Sequence, residues 1–239
     1  MSISTERSAE FRELPSSGLL RTTAAVYLLY FVAGVPLLLR SSLIIPGNPS
    51  ATAAKIIASE ALYRVTMVTD LVSYALYLGL AYLFYLLLRQ VNQSWAFLGA
   101  LFTVAGCIVL ILATSLLSAP LVLLTGNSYA TISLAERQEM ALFALKIYNQ
   151  AFIIGLLLFG VQWLIMGPLF SLSRVVPRAV GYLLTLGGVA WVTFAVASLV
   201  RPPVGVAIQP VVLVIGSLAE IALAISLLVR GIRGLPAAA

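Results

Sequence analysis

The sequence contains no histidine, a single cysteine and a single aspartate, and only 9% of its 239 residues are charged. The absence of histidine excludes bis-histidine haem sites, zinc-histidine sites and serine-histidine dyads. One aspartate, Asp70, excludes a paired-aspartate protease site, and one cysteine, Cys107, excludes a disulfide within the chain and a thiolate metal cluster. We therefore predict no metal and no cofactor, and an enzyme is the weakest of the functional hypotheses.

Hydrophobic residues make up 62% of the chain, and the mean hydropathy is +1.08. Soluble domains carry about 25% charged residues, so this chain lacks the polar surface of a soluble fold. Its apolar residues occur in runs of about 20 or more, the length that crosses a bilayer. The sequence therefore predicts an integral membrane protein in contact with the lipid bilayer.

The net charge of +6 does not indicate nucleic-acid binding. The 14 lysines and arginines lie singly or in pairs at the ends of the apolar runs, where such residues set topology and contact anionic lipids. We therefore expect no nucleic-acid partner. A homo-oligomer is left open, because one sequence does not define a copy number.

Six apolar runs predict an all-α fold, namely a polytopic helical membrane protein with six transmembrane helices in one bundle. The predicted spans are residues 19–45, 62–88, 95–124, 140–172, 179–200 and 209–229. They form a single transmembrane domain, residues 19–233, between a polar cytoplasmic tail, residues 1–18, and a short C-terminal tail, residues 234–239. Glycines in the third, fourth and fifth spans are expected to permit close packing of helices.

An even number of spans places both termini on one side of the membrane. Most of the arginines lie on that side, so the positive-inside rule places both termini in the cytoplasm. Within the first span, Pro36 predicts a kink. Arg40, near the far end of that span, is expected to turn outward to the membrane surface.

The second span carries Asp70 among apolar residues. A carboxylate inside a span costs about 2.5–3.5 kcal/mol on insertion scales, so it is usually paired, faces protein or water, and marks a functional site. Asp70 shares spacings of three and four residues with other polar side chains, which predicts one polar stripe along this helix. The stripe consists of Thr66, Asp70, Ser73, Tyr74 and Tyr77.

The fourth span supplies the expected partners of this stripe. Lys146, with Asn149 and Gln150 close by, reaches Asp70 if that span tilts and Glu60 if it does not. Deeper in the membrane, Gln162 and Glu220 lie about 18 Å and 15 Å from the arginines that follow their spans, so their similar depths predict a contact.

At the outer mouth, Glu60 and Arg64 are one helical turn apart and can pair with each other. With Lys146, Asn149 and Gln150, they are the candidates for ion pairing or gating.

Two functional hypotheses follow from these residues. In the first, an outward-facing polar cavity binds or translocates a small molecule or ion, such as a small cationic or polar ligand. Its lining residues are Asp70, Tyr74, Tyr77, Gln162 and Glu220. In the alternative, the protein is a structural or regulatory membrane subunit that acts through partner helices or lipid without transport, and the same residues form interhelical hydrogen bonds.

Several stretches resemble a bacterial membrane-protein family catalogued as domain of unknown function 4386. They are IPGNPSATAAKIIASEALYRVTMVTDLV, YLFYLLLRQVNQSWAFLGALF, FGVQWLIMGPLFSLSRVVPRAVGYLLTLGGVAW and GSLAEIALAISLLVRG. The resemblance implies a six-span helical protein of the bacterial cytoplasmic membrane with no assigned activity. Relatives often carry a histidine after the Phe-Gly of the fourth span, where this chain has Gln162, so shared proton-coupled or metal chemistry is not implied.

Overall fold

The computed structural model describes residues 15–125, 129 and 131–233, and these residues form a bundle of long α-helices. The predicted tails, residues 1–18 and 234–239, lie largely or wholly outside the described residues. The helices are α1 (Ser17–Ser41), α2 (Pro49–Ala58), α3 (Glu60–Leu88), α4 (Gln93–Thr114), α5 (Ala119–Thr125), α6 (Leu134–Leu172), α7 (Arg178–Val200) and α8 (Pro202–Arg233). A 3₁₀ turn, Ser115–Ser118, joins α4 to α5 so that the two cross as one span.

Six of these segments are long and apolar enough to cross a membrane. Their outward surfaces carry large apolar side chains, including Val32, Leu38, Leu112 and Val206, which are more than two-thirds exposed. Such a surface suits lipid rather than water. The predicted class, an all-α membrane protein with six spans in one bundle, is therefore confirmed.

Consecutive spans are neighbours in the bundle, and α8 returns to pack against α1. The spans therefore form a ring in the order α1, α3, α4, α6, α7 and α8, and side chains of α3 and α6 meet across its middle, among them Tyr77 with Phe159 and Phe84 with Trp163. Arg21 on α1 donates from Nε to the carbonyl of Gly231 on α8 at 2.7 Å, which joins the two ends of the ring. Side chains that point inward from α1, α3, α6 and α8 consequently meet at the centre of the ring.

Two helices begin earlier than the apolar runs predict. α6 begins at Leu134 rather than at residue 140, because Ser133 and Glu136 form a capping box that satisfies the free N–H groups of its first turn. α8 begins at Pro202 rather than at residue 209, because proline lacks an N–H group and has a fixed φ, both of which suit a first turn. The added turns carry the spans past the apolar core on the side opposite the termini.

Glycines allow α6 and α7 to approach closely, as the sequence predicts. A methyl group placed on Gly188 would lie 2.8 Å from the Gly160 carbonyl oxygen and 2.8 Å from the Leu164 nitrogen, both backbone atoms of α6. Real Cβ atoms do not come so close to other atoms, so the two backbones would have to separate. The tight α6–α7 contact therefore requires glycine at this position.

We predict that Gly188→Ala lowers the free energy of unfolding by about 1–3 kcal/mol, because the added methyl group has no space against a fixed backbone. Gly79→Ala is the matched control, since a methyl group there would have no neighbour within 4 Å. Unfolding in mixed detergent micelles measures both changes. Equal stability of the two variants would contradict the packing described for α6 and α7.

Candidate functional site

Two separate polar clusters lie inside the bundle, one around Asp70 and one around Glu220. The first lies in the half of the bundle opposite the termini, because Asp70 is only about 15 Å along α3 from Glu60 at that end. The second lies deeper, where α1, α6 and α8 meet. α1 contributes to both, through Arg40 at its far end and Tyr27 near its middle.

The Asp70 cluster is a buried ion pair with a tyrosine. Arg40 Nη1 lies 2.6 Å from Asp70 Oδ2, and the two side chains are only 2% and 4% exposed. Tyr148 on α6 accepts a hydrogen bond from Arg40 Nη2 at 2.8 Å and donates one to Asp70 Oδ2 at 3.2 Å. The guanidinium also lies 5.1 Å from the centre of the Tyr148 ring. The two charges thus offset each other within the protein, and Asp70 Oδ2 accepts hydrogen bonds from both Arg40 and Tyr148.

The expectation that Arg40 turns outward to the membrane surface is wrong. Arg40 lies in the last turn of α1, and helical side chains slant back toward the helix N-terminus. From that position the long side chain reaches back into the bundle and meets Asp70. The inward orientation of Arg40 is favoured over exposure to water because the buried Asp70 carboxylate would otherwise lack a counter-charge.

Lys146 is exposed on α6 and forms no ion pair with Asp70 or Glu60 within the described residues, so its predicted role as their partner is wrong. Tyr148, two positions further along α6, points inward and takes the place next to Asp70. Glu60 pairs instead with Arg64, at 2.7 Å on the exposed surface of α3. Their proposed part in gating stays a prediction.

The polar stripe of α3 does face the inside of the bundle. All five of its residues are buried, and Tyr63 continues it one turn further. The hydroxyl groups of Thr66 and Ser73 donate to backbone carbonyls of their own helix, at 2.7 and 2.8 Å. These two hydroxyls are therefore satisfied locally, which leaves Asp70, Tyr74 and Tyr77 as the residues that can act on other groups.

The Glu220 cluster joins three helices through one carboxylate. Tyr27 on α1 donates its hydroxyl to Oε2 at 3.1 Å, and Trp163 on α6 donates its indole N–H to Oε1 at 3.3 Å. Tyr30 on α1 and Tyr77 on α3 lie against each other, with their ring centres 4.8 Å apart. Among the described residues no lysine or arginine forms an ion pair with Glu220.

Gln162 lies next to Trp163 in sequence but forms a hydrogen bond with a different residue. Its Nε2 donates to the Tyr77 hydroxyl at 3.4 Å, whereas no hydrogen bond to Glu220 is present in the described part of the chain, so the predicted contact is wrong. Gln162 and Glu220 do lie at similar depths. Consecutive helical residues point about 100° apart, however, and it is Trp163 that points toward Glu220. Gln162 Oε1 is fully buried and lacks a hydrogen-bond partner among the described residues.

The predicted single cavity lined by both acids is therefore divided in the structure. Asp70 belongs to one cluster, which is buried, and the half-buried Glu220 belongs to another. Asn149 and Gln150 line a third feature, a cleft of about 250 Å³ between α6, α7 and α8. In residues 15–125, 129 and 131–233, no three acidic or cysteine side chains come together as ligands for a metal ion.

Sequence reasoning did not single out Tyr27, Tyr148 or Trp163. Each is an aromatic residue in an apolar run, where it reads as core or as an anchor at the membrane interface. Only their partners distinguish them, because all three make hydrogen bonds with Asp70 or Glu220. Their spacing gave no signal, because each lies on a different helix from the acid that it contacts.

These features define a class, a six-span helical membrane protein with two polar clusters inside its bundle. A family model described as a domain of unknown function (DUF4386) matches residues 22–231, and the chain belongs to that family. The resemblance carried by the span motifs is therefore confirmed. No curated protein and no solved structure matches the chain.

We predict that Asp70→Asn lowers the free energy of unfolding by about 3–5 kcal/mol, because it leaves the Arg40 guanidinium buried without a counter-charge. Removing both charges, with Arg40→Met and Asp70→Leu together, should be less harmful than either single change. Unfolding in mixed detergent micelles provides the double-mutant cycle.

The Glu60–Arg64 pair supplies the control for this cycle, since its side chains are 37% and 57% exposed. Glu60→Gln should change the free energy of unfolding by about 0–1 kcal/mol, as exposed ion pairs do. A loss at Asp70 no larger than the loss at Glu60 would show that the buried pair does not hold α1 to α3.

Proposed function

We propose that this protein binds a small organic cation with N–H donors at Glu220, in the centre of its six-span bundle. The observation that carries the proposal is a half-buried carboxylate with two neutral hydrogen-bond donors and no cationic side chain bonded to it in the described residues. An isolated charge in an apolar interior is costly, so an ionised Glu220 calls for a positive partner.

The hydrogen bonds at Glu220 favour the ionised form. Trp163 can only donate through its indole N–H, and the Tyr27 hydroxyl donates to the other carboxyl oxygen. Donors on both oxygens suit a carboxylate, which accepts at each of them, better than a protonated acid. The two bonds reduce the cost of the charge but do not cancel it. A cationic ligand would supply the missing charge.

Aromatic rings pack around Tyr27 and Trp163, the two donors to Glu220, and suit the same ligand. Tyr27 stacks with Phe31 at a centroid distance of 4.9 Å, Tyr30 lies against Tyr77, and Phe84 lies 5.7 Å from Trp163. Aromatic faces attract cations by about 0.5–2 kcal/mol each, and most strongly where water is excluded. A carboxylate among such rings is a common arrangement for binding ammonium groups.

Gln162 adds a free polar group near the rings. Whichever way its amide is turned, one of its two polar atoms bonds with Tyr77 and the other lacks a described partner. A buried polar atom without a partner is rare in native proteins and is often a place where a ligand or a water binds. The amide oxygen would accept an N–H group of the cation.

The second candidate function is the structural or regulatory membrane subunit. The observation that favours it is the Arg40–Asp70 pair, whose opposite charges offset each other and which ties three helices together without any ligand. We further propose that the protein resides in the bacterial cytoplasmic membrane with both termini in the cytoplasm, which the arginines at the ends of α7 and α8 on that side support.

We predict that the purified protein in lipid nanodiscs binds ethylammonium and that Glu220→Gln weakens this binding at least about 30-fold, because a charge pair in a low-dielectric interior is lost. Isothermal titration calorimetry measures the affinity. Propanol, which is similar in size but neutral, should not bind the unaltered protein.

Glu139→Gln is the matched control, because Glu139 is an exposed acid on α6 and its loss should leave the affinity unchanged. Trp163→Phe removes one donor but keeps the charge, so it should weaken binding less than Glu220→Gln. If ethylammonium, guanidinium and tetramethylammonium all fail to bind a folded protein, the cation proposal is wrong and the structural subunit is the better description.

A further inference from the structure

We propose that the cleft between α6, α7 and α8 is the route by which a cation reaches Glu220 from the side opposite the termini, and that Trp191 closes this route. The inference rests on the cation site proposed above and adds the direction from which its ligand arrives. It is carried by the position of the cleft, by the helix faces that lead out of it, and by two glycines at its inner end.

The cleft opens at the end of the bundle opposite the termini. Its mouth is formed by Pro202, in the first turn of α8, and by the exposed amide side chains of Asn149, Gln150 and Gln209. Its inner wall includes Trp191, which is nearly buried. Amide oxygens at the mouth and an aromatic face inside are groups that attract a cation without holding it as a carboxylate would.

Two helix faces continue from the cleft toward the acid. On α8, Gln209 and Leu213 line the cleft, and the following positions on the same face are Gly216 and Glu220. The rise of an α-helix puts Glu220 only about 10 Å beyond Leu213. The cleft and the carboxylate therefore share one face of α8.

On α6, Ile153 and Leu156 line the cleft, and the same face continues through Gly160 to Trp163, which donates to Glu220. The two faces thus converge on one carboxylate. The proposed route from the cleft to Glu220 follows these two faces and is closed by the side chain that lies between them.

Trp191 is that side chain. A methyl group on Gly216 would lie 2.5 Å from Trp191 Nε1, and one on Gly160 would lie 3.0 Å from Trp191 Cβ. The two glycines therefore make the space that Trp191 fills, directly between the cleft and the Trp163–Glu220 contact. In the described part of the chain no hydrogen bond holds the Trp191 indole in place, so its rotation breaks none.

The test measures access to single cysteines in the full chain. In a Cys107→Ala background, Gln209→Cys places a thiol at the mouth of the cleft and Glu220→Cys places one at its inner end. The probe is 2-(trimethylammonium)ethyl methanethiosulfonate, a cationic thiol reagent that does not cross bilayers. It is added to one side or the other of vesicles in which the protein has a defined orientation.

We expect Gln209→Cys to react only from the side opposite the termini. Glu220→Cys should react slowly from that side, and the additional change Trp191→Ala should accelerate it at least about tenfold, because the barrier to access is lowered. Trp95→Ala is the matched control, since Trp95 is an exposed tryptophan at the other end of the bundle and its loss should not alter the rate.

Reaction of Gln209→Cys from the side of the termini, or no reaction from the opposite side, would overturn the proposed route. So would equal rates at Glu220→Cys with Trp191→Ala and with Trp95→Ala. If the Glu220→Cys chain does not accumulate, Gln209→Cys alone still decides the side of access.

The route and the cation site can fail separately. If the unaltered protein binds ethylammonium but Trp191→Ala does not change the reaction rate, the route is wrong and the site stands. If the rate rises as expected but no cation binds, the cleft leads to Glu220 while the proposed function is wrong.

Discussion

The structure depends on one buried ion pair, Arg40 with Asp70. α1 is the least buried of the six spans, and large apolar side chains such as Val32 and Leu38 face outward from it. Arg40 ties its far end to α3 and, through Tyr148, to α6. Two charges in an apolar interior are tolerable only together, so this end of α1 has one low-energy position. That constraint also fixes the helix that brings Tyr27 to Glu220.

The two acids of the interior are satisfied in different ways. Asp70 has a cation within the chain and a tyrosine that bridges both partners, so its charge is compensated. Glu220 has two neutral aromatic donors, Tyr27 and Trp163, and, among the described residues, no cation. Asp70 is thus an acid whose counter-charge lies within the protein. Glu220 has no such counter-charge, and this difference is the reason to propose a ligand at Glu220.

The fold could be predicted because apolar runs long enough to span a bilayer have few alternatives to helices. The polar stripe of α3 could be predicted because helical period places its residues on one face. The partner of Asp70 could not be predicted from the sequence. An arginine near a span end usually extends toward water, and only the three-dimensional position of α3 makes the inward direction favourable for Arg40. Similarly, neighbouring positions on α6 differ in direction, so equal depth did not decide between Gln162 and Trp163 as the contact of Glu220.

A role limited to hydrogen bonding between helices explains Glu220 less well than it explains the other polar residues. A hydrogen bond between membrane helices contributes about 0.6 kcal/mol on average, whereas an acid inside a span costs several times that amount. Two bonds from Tyr27 and Trp163 do not offset the cost. A tyrosine or serine could bond helices at this depth without a charge, as Tyr77 and Gln162 already do. In the proposed function the carboxylate compensates a cation, a role that a neutral group in its place would not provide.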